Sequence, residues 1–228
     1  MRLLAFETAG DGCSAGCFDD GYLLALERHT EATGHAELLV PMLGAVLARA
    51  GWGMTDPEAL AVTIGPGSFT GIRTGLAAAR GFALVHHQPV WPVTSLAVRA
   101  AMVAERGGAG GLPIAVVLDA RRGHLFLQRF DASGMPLDGP MVVTPERAAA
   151  QLKGPHLLIG DGVPAALRHL DARAMRFEDA VPDAAAVALA AEAMRRRGEA
   201  PVPGTDLLPL YLREPDARPA AGRPLLSA

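Results

Sequence analysis

The sequence predicts an α/β fold made of two related halves. Three observations carry this prediction. The order strand, strand, strand, helix, strand, helix occurs twice along the chain. Both occurrences place a glycine turn after the fourth strand, Ile64-Gly65-Pro66-Gly67 and Ile159-Gly160-Asp161-Gly162. The 228 residues, half of them hydrophobic, suffice for one large α/β domain or two small ones.

In the first half, Leu3 to Phe6 is a short apolar run. It ends at Glu7-Thr8 and the turn-forming Ala9-Gly10-Asp11-Gly12. Cys13 to Phe18 returns as a second strand, and Asp19-Asp20-Gly21 is a hairpin signal before a third, Tyr22 to Arg28. A helix is expected from about His35 to Ala50. Its apolar stripe is Leu39, Leu43, Val46 and Ala50, beside Leu38, Met42 and Ala45. Pro41 should lie in its first turn or at a kink. Leu60 to Ile64 reads as a strand buried on both faces, and after the glycine turn a helix runs from Thr70 to about His87.

A helix near Ser95 to Arg106 and the run Gly107-Gly108-Ala109-Gly110-Gly111, a hinge or a surface loop, join the halves. In the second half, Ile114 to Leu118, Leu125 to Phe130 and Met141 to Val143 are strands, the second and third separated by the turn Asp131-Ala132-Ser133-Gly134. Thr144-Pro145-Glu146 opens a helix with an N-cap and Pro at N1. His156 to Ile159 is a strand, followed by a short helix and a long one from Asp183 to Arg197. Leu210-Tyr211-Leu212-Arg213 is a last ordered segment. The expected organisation is a first lobe over 1–105, a second over 106–213, and a mobile tail over 214–228.

The formal net charge of -3 and the pI near 6.2 offer no global attraction for nucleic acid. Contact with RNA would be local or supplied by a partner. No apolar run is long enough to cross a bilayer, and the N-terminus turns acidic too soon for a signal peptide. Cys13 and Cys17 have neither redox nor zinc spacing, and read as free, half-buried thiols of a cytoplasmic protein.

The turn Gly65-Pro66-Gly67-Ser68-Phe69-Thr70-Gly71 lacks the Lys of a P-loop. It also fails as a dinucleotide fingerprint, because Thr70 stands at the third glycine and no Asp or Glu occurs between Ala59 and Ala104. Ser68 and Thr70 offer caps to the following helix. Gly71, Gly75, Ala78, Ala79 and Gly81 leave that helix with little bulk. Glycine in a helix costs about 1 kcal/mol against alanine, so close packing is needed, on the protein's own sheet or on another chain.

Catalytic chemistry is sparse. The seven histidines form no HxxxH, so no metal site is expected. Ser68 has no nucleophile elbow. Glu7-Thr8 and Asp119 end equivalent strands beside tight hairpins, where carboxylates can hold Mg-nucleotide phosphates. Asp11 in the first hairpin would repel a phosphate, whereas Arg121 and Arg122 in the second would attract one.

The stretch Gly65-Pro66-Gly67-Ser68-Phe69-Thr70-Gly71-Ile72-Arg73-Thr74-Gly75 resembles the signature of the bacterial TsaB (YeaZ) family. So do His35-Ala36-Glu37-Leu38-Leu39 with Pro41, Thr94-Ser95-Leu96, Leu118-Asp119-Ala120-Arg121-Arg122-Gly123, Gly160-Asp161-Gly162 and Pro209-Leu210-Tyr211-Leu212-Arg213. The resemblance spans nearly the whole chain. It implies a two-lobed actin-like, sugar-kinase-like (ASKHA) fold. It also implies a role in forming N6-threonylcarbamoyladenosine in tRNA, next to the anticodon. There the family member is a non-catalytic partner of TsaD, which carries the metal-binding HxxxH, with TsaE bound to the pair and tRNA met indirectly.

Carried over, the TsaD-binding surface consists of the helices His35 to Ala50 and Thr70 to His87, through His35, Leu38, Leu39, Met42, Thr70, Gly71, Arg73, Thr74, Gly75 and Ala78. The resemblance gives the chain no catalytic residue, metal or cofactor of its own. ATP or ADP with Mg would sit at the complex interface, and a nucleotide site in this chain would use Glu7, Thr8, Asp119, Gly160 and Asp161. The isolated chain is expected to form a homodimer through the partner's site. The alternatives are a small-molecule kinase or ATPase of the same fold, and a glycoprotease-like metallopeptidase that would need a metal or nucleophile the sequence does not assemble.

Overall fold

The structure, a computed structural model, describes residues 1–10, 12–30, 35–107, 109–170, 175–178 and 181–213. Asp11, the His35 side chain and the tail from 214 on, all used above, lie outside the described residues.

Short apolar runs and tight turns give a first sheet of β1 (Arg2–Glu7), β2 (Cys13–Asp19), β3 (Tyr22–His29), β4 (Ala59–Gly65) and β5 (Val90–Thr94), in the order β3-β2-β1-β4-β5. The second sheet holds β6 (Ile114–Asp119), β7 (Leu125–Phe130), β8 (Met141–Val143), β9 (His156–Ile159) and β10 (Met175–Glu178), in the order β8-β7-β6-β9-β10. The two orders are the same. Three antiparallel strands come first, then two parallel to the central one. This is the duplicated two-lobe fold that the resemblance implies. The fifth strands, β5 and β10, are absent from the sequence reading. Both are short, and β5 contains Pro92, a residue that weakens any strand signal.

Helices α1 (His35–Ala50) and α2 (Phe69–His86) cover the outer face of the first sheet. Helices α4 (Pro145–Gln151) and α5 (Val163–Leu167) cover the outer face of the second. Between the sheets lie α3 (Ser95–Glu105) and α6 (Ala184–Arg196). One apolar core joins Leu3, Ala5, Trp91 and Val93 of the first sheet to Ile114, Val116, Leu157 and Ile159 of the second through these two helices. Helix α6 comes late in the chain yet packs on the first sheet, against β1, β2, β4 and β5. Its N-cap, Asp183, binds Arg28 of β3, and Ala184 N donates to Ser14 Oγ of β2 at 2.8 Å.

The caps follow the sequence. Thr94 Oγ1 accepts from Ala97 N at 3.0 Å, and Thr144 starts α4 with Pro145 in its first turn. Pro41 lies inside α1, beyond the first turn, which leaves the kink of the two alternatives. Cys13 and Cys17 are free but fully buried rather than half-buried, since both face the core under α1. Residues 210–213 form no strand. The segment after α6 instead crosses the first lobe: Val202 bridges Val90, Leu207 is buried, and Leu210 N donates to Ile64 O at 2.8 Å.

One stripe of small residues on α2 faces inward, while Ala77 and Gly81 are exposed. A Cβ at Gly67 would overlap the Ala9 carbonyl, at Gly71 the Thr8 carbonyl, and at Gly75 the Thr8 hydroxyl. Ala79 and Ala83 continue the same stripe and are buried. The glycines thus let α2 lie against the end of β1. Gly71→Ala should destabilise the protein by about 1–3 kcal/mol or more by overpacking, whereas Ala77→Lys, on the exposed face, should change it by less than about 0.5 kcal/mol; urea denaturation followed by circular dichroism checks both.

Candidate functional site

Two regions collect the candidate residues. The first is a cleft of about 1040 Å³ between the lobes. Both hairpins and both glycine turns open onto it. Gly65 and Gly160 have φ of 108° and 113°, a backbone region that favours glycine, and so turn the chain sharply at equivalent points. Glu7, Asp119, Gly160 and Asp161 line this cleft as the sequence suggests, and Thr8 does not. Thr8 is buried and its hydroxyl faces Gly75 of α2, because neighbouring residues at a strand end point to opposite faces.

The cleft carboxylates are engaged with backbone amides. Glu7 Oε1 accepts from Ala9 N at 2.6 Å and Gly10 N at 3.1 Å. In the second lobe Asp119 Oδ1 accepts from Arg121 N at 2.7 Å, and Asp161 Oδ1 from Asp119 N at 2.9 Å. These are hairpin donors that a bound phosphate would need. Here side-chain carboxylates occupy them.

Glu7 is only 3% exposed. Burial pushes its carboxyl above the usual range, against the opposing field of Arg99 and the donors around it. The Ser95 hydroxyl at the cleft wall has no hydrogen-bond partner among the described residues, and the second Glu7 oxygen has none of good geometry, the Thr63 side chain being the group that acts on this carboxyl. Arg99, one turn along α3, donates through Nη1 to Ser95 O at 3.1 Å. Ser95, Arg99, Arg28 and Asp183 were missed as site residues. They join the cleft only through long-range packing, and the one local signal is the Thr94 cap that sets Ser95 at the start of α3.

The second region is the outer face of α1 and α2. Thr70 and Arg73 are exposed, and Leu38, Thr74 and Ala78 are half-buried. Leu39, Met42, Gly71 and Gly75 are buried, which corrects their assignment to an outward surface. The leucine and methionine fill the core below α1, and the glycines lie on β1. The outward apolar side chains are instead Val40, Leu84 and Val85. At the opposite end of α2 from Leu84 and Val85, Phe69 stacks on Tyr211 with ring centres 5.6 Å apart. The Arg73 guanidinium lies 3.6 Å from the Phe69 ring centre, and Arg73 Nε donates to the Tyr211 hydroxyl at 3.0 Å. Two residues on, Arg213 donates to Ala120 O in the second-lobe hairpin.

Glu7 yields a stability prediction. A carboxyl with a raised folded-state pKa favours the fold most below the ordinary carboxylate range, and that contribution is lost as pH rises through the raised value. Glu7→Gln retains an oxygen for the Ala9 and Gly10 amides and removes the buried charge. It should therefore stabilise the chain at neutral pH by on the order of 1 kcal/mol, roughly 3 °C in melting temperature, and flatten the rise in stability on acidification; calorimetry between pH 5 and 8 checks this.

The family model described as "TsaD: tRNA N6-adenosine threonylcarbamoyltransferase" matches residues 29–161. The tRNA threonylcarbamoyladenosine biosynthesis protein TsaB of Escherichia coli is 33% identical over 171 residues, covering 71% of this chain and 72% of that one. An uncharacterised protein of Mycobacterium tuberculosis is 37% identical over 227 residues, 96% of this chain and 95% of that one. Among solved structures, YeaZ from Pseudomonas aeruginosa superposes with a TM-score of 0.79 at 27% identity, over 92% of this chain and 99% of that one. Together with the duplicated fold and the turn at Gly65 to Gly71, these likenesses make the chain a member of the TsaB (YeaZ) family.

Proposed function

We propose that this protein is a non-catalytic partner of TsaD in forming N6-threonylcarbamoyladenosine next to the anticodon of tRNA. The observation that carries the reading is the outer face of α1 and α2. Val40 is 60% exposed, Leu84 76% and Val85 68%, on helices whose other faces are packed in the core. Large apolar side chains left exposed on the solvent side of packed helices favour an interaction surface. The match of residues 29–161 to the TsaD family model supports a partner of similar build, whose own helices could pack on these. Arg73, Phe69 and Tyr211 add a rigid aromatic and cationic rim of the kind enriched at interfaces. A nucleotide held by this chain's cleft is less favoured, because Glu7, Asp119 and Asp161 occupy the hairpin amides.

Size-exclusion chromatography of the chain with its cognate TsaD should give a heterodimer. Leu84→Glu with Val85→Glu should weaken it at least tenfold, since burying one such side chain is worth about 1.5–3 kcal/mol. Unchanged binding by that double variant would exclude this face. Depleting the protein should lower N6-threonylcarbamoyladenosine in tRNA, measured by mass spectrometry of digested tRNA; an unchanged level would refute the role in that modification.

A further inference from the structure

The net charge of the chain is negative, but its charges are unevenly spread. Neither α2 nor the segment 207–213 carries an Asp or Glu, yet together they hold Arg73, Arg80 and Arg213. Arg73 lies on the Phe69 ring and donates to the Tyr211 hydroxyl, and the two stacked rings are 45% and 40% exposed. Two residues beyond Tyr211, Arg213 Nη1 donates to Ala120 O at 3.2 Å, which brings the second-lobe hairpin beside this cluster. One strip of contacts thus runs from Arg73 through Phe69, Tyr211 and Arg213 to Arg121 and Arg122.

The hairpin adds an independent observation. Arg121 and Arg122 have φ of 64° and 52°, followed by Gly123 at 75°. A side chain raises the energy of this left-handed backbone, so glycine or asparagine would suit both positions better than arginine. Both arginines are exposed, the Arg121 side chain at 83%, so core packing does not require them. Strained positions of this kind collect at ligand clamps. The carboxylates nearest this tip are Asp119, 3.6 Å from the Arg121 guanidinium, and Asp161; each also accepts from a backbone amide. Glu214 and Asp216 follow Arg213 in the sequence, outside the described residues.

An acidic peptide would match the arginines but not the rings, and an apolar partner the rings but not the arginines. An unpaired RNA strand presents phosphates and flat base faces together, and bases stack on aromatic rings and on guanidinium planes. A duplex offers fewer open faces, because its bases stack on one another. We propose that this strip binds an unpaired stretch of RNA directly, with a base stacked on the Phe69–Tyr211–Arg73 cluster and the backbone held by Arg121, Arg122 and Arg213. The choice of RNA rests on the role in tRNA modification proposed above. The strip starts at the end of α2 opposite Leu84 and Val85, which leaves those side chains to TsaD.

The test uses the full chain and three probes: a fluorescently labelled anticodon stem-loop RNA, an RNA duplex of the same length, and inorganic polyphosphate as competitor. Binding is read by fluorescence anisotropy across a range of salt concentrations. The stem-loop should bind saturably, at least tenfold more tightly than the duplex or polyphosphate. Tyr211→Ala should weaken it about tenfold with little change in salt dependence, as loss of a stacking surface does. Arg121→Gly with Arg122→Gly should also weaken it about tenfold, and should lower the salt slope by roughly 0.7 per arginine. Glycine suits the left-handed backbone at both positions, so this double variant should melt no lower than the parent, and it keeps the test valid if the tyrosine variant misfolds. Size-exclusion chromatography of the same double variant with TsaD should still give the heterodimer, so the docking reading succeeds or fails separately. The absence of saturable stem-loop binding, equal binding of duplex or polyphosphate, or full retention of RNA binding in the folded variants would each overturn the proposal. Loss of TsaD binding with RNA binding intact would also overturn it and make the strip a protein interface.

Discussion

The contact between the end of β1 and the glycine face of α2 is the constraint on which the rest of the structure depends. The carbonyls of Thr8 and Ala9 lie where side chains at Gly71 and Gly67 would be, and the Thr8 hydroxyl lies where one at Gly75 would be. Ser68 N also donates to Ala9 O at 2.8 Å, which fixes the turn to the first hairpin. With α2 held this close, Glu7 is directed into the cleft, Ile72 and Leu76 into the core, and Leu84 and Val85 outward. The helix-propensity cost of each glycine, about 1 kcal/mol, is offset by an approach that alanine would not permit.

The lobes are related by duplication but differ in how they finish. Each sends a sharp glycine turn to the cleft, at Gly65 and at Gly160, and each ends its first strand in a carboxylate that binds its own hairpin amides. The Glu7 carboxylate is buried, whereas Asp119 is exposed beside Arg121. The same local design therefore gives a strained ionisation in one lobe and a solvated ion pair in the other. The two lobes are not independent bodies: α3 and α6 share one core between them, and the Arg28–Asp183 pair ties the start of α6 back to the first sheet.

The segment from Val202 to Arg213 links features that are distant in sequence. It adds a bridge at the edge of the first sheet, and Leu207 O accepts from Arg80 of α2 at 3.2 Å. It then places Tyr211 on Phe69 and Arg73, at the proposed docking face, and Arg213 on the cleft hairpin. The docking face and the cleft wall are thus supported by the same few residues.

Local pattern alone determined much of this protein. The duplicated element order, the span His35 to Ala50 of α1, the Thr94 and Thr144 caps and the paired glycine turns follow from periodicity, cap chemistry and backbone freedom, which act within a few residues. The resemblance carried by Gly65 to Gly75 reached the family by the same short-range route. Tertiary structure decided the rest. Whether the small-residue stripe of α2 faced a partner or its own sheet depended on the position of Thr8, which α2 meets only in the folded chain. The Arg28–Asp183 tie and the Phe69–Tyr211 stack join residues far apart in sequence. Periodicity shows that a side chain is on a face; only packing shows what that face meets.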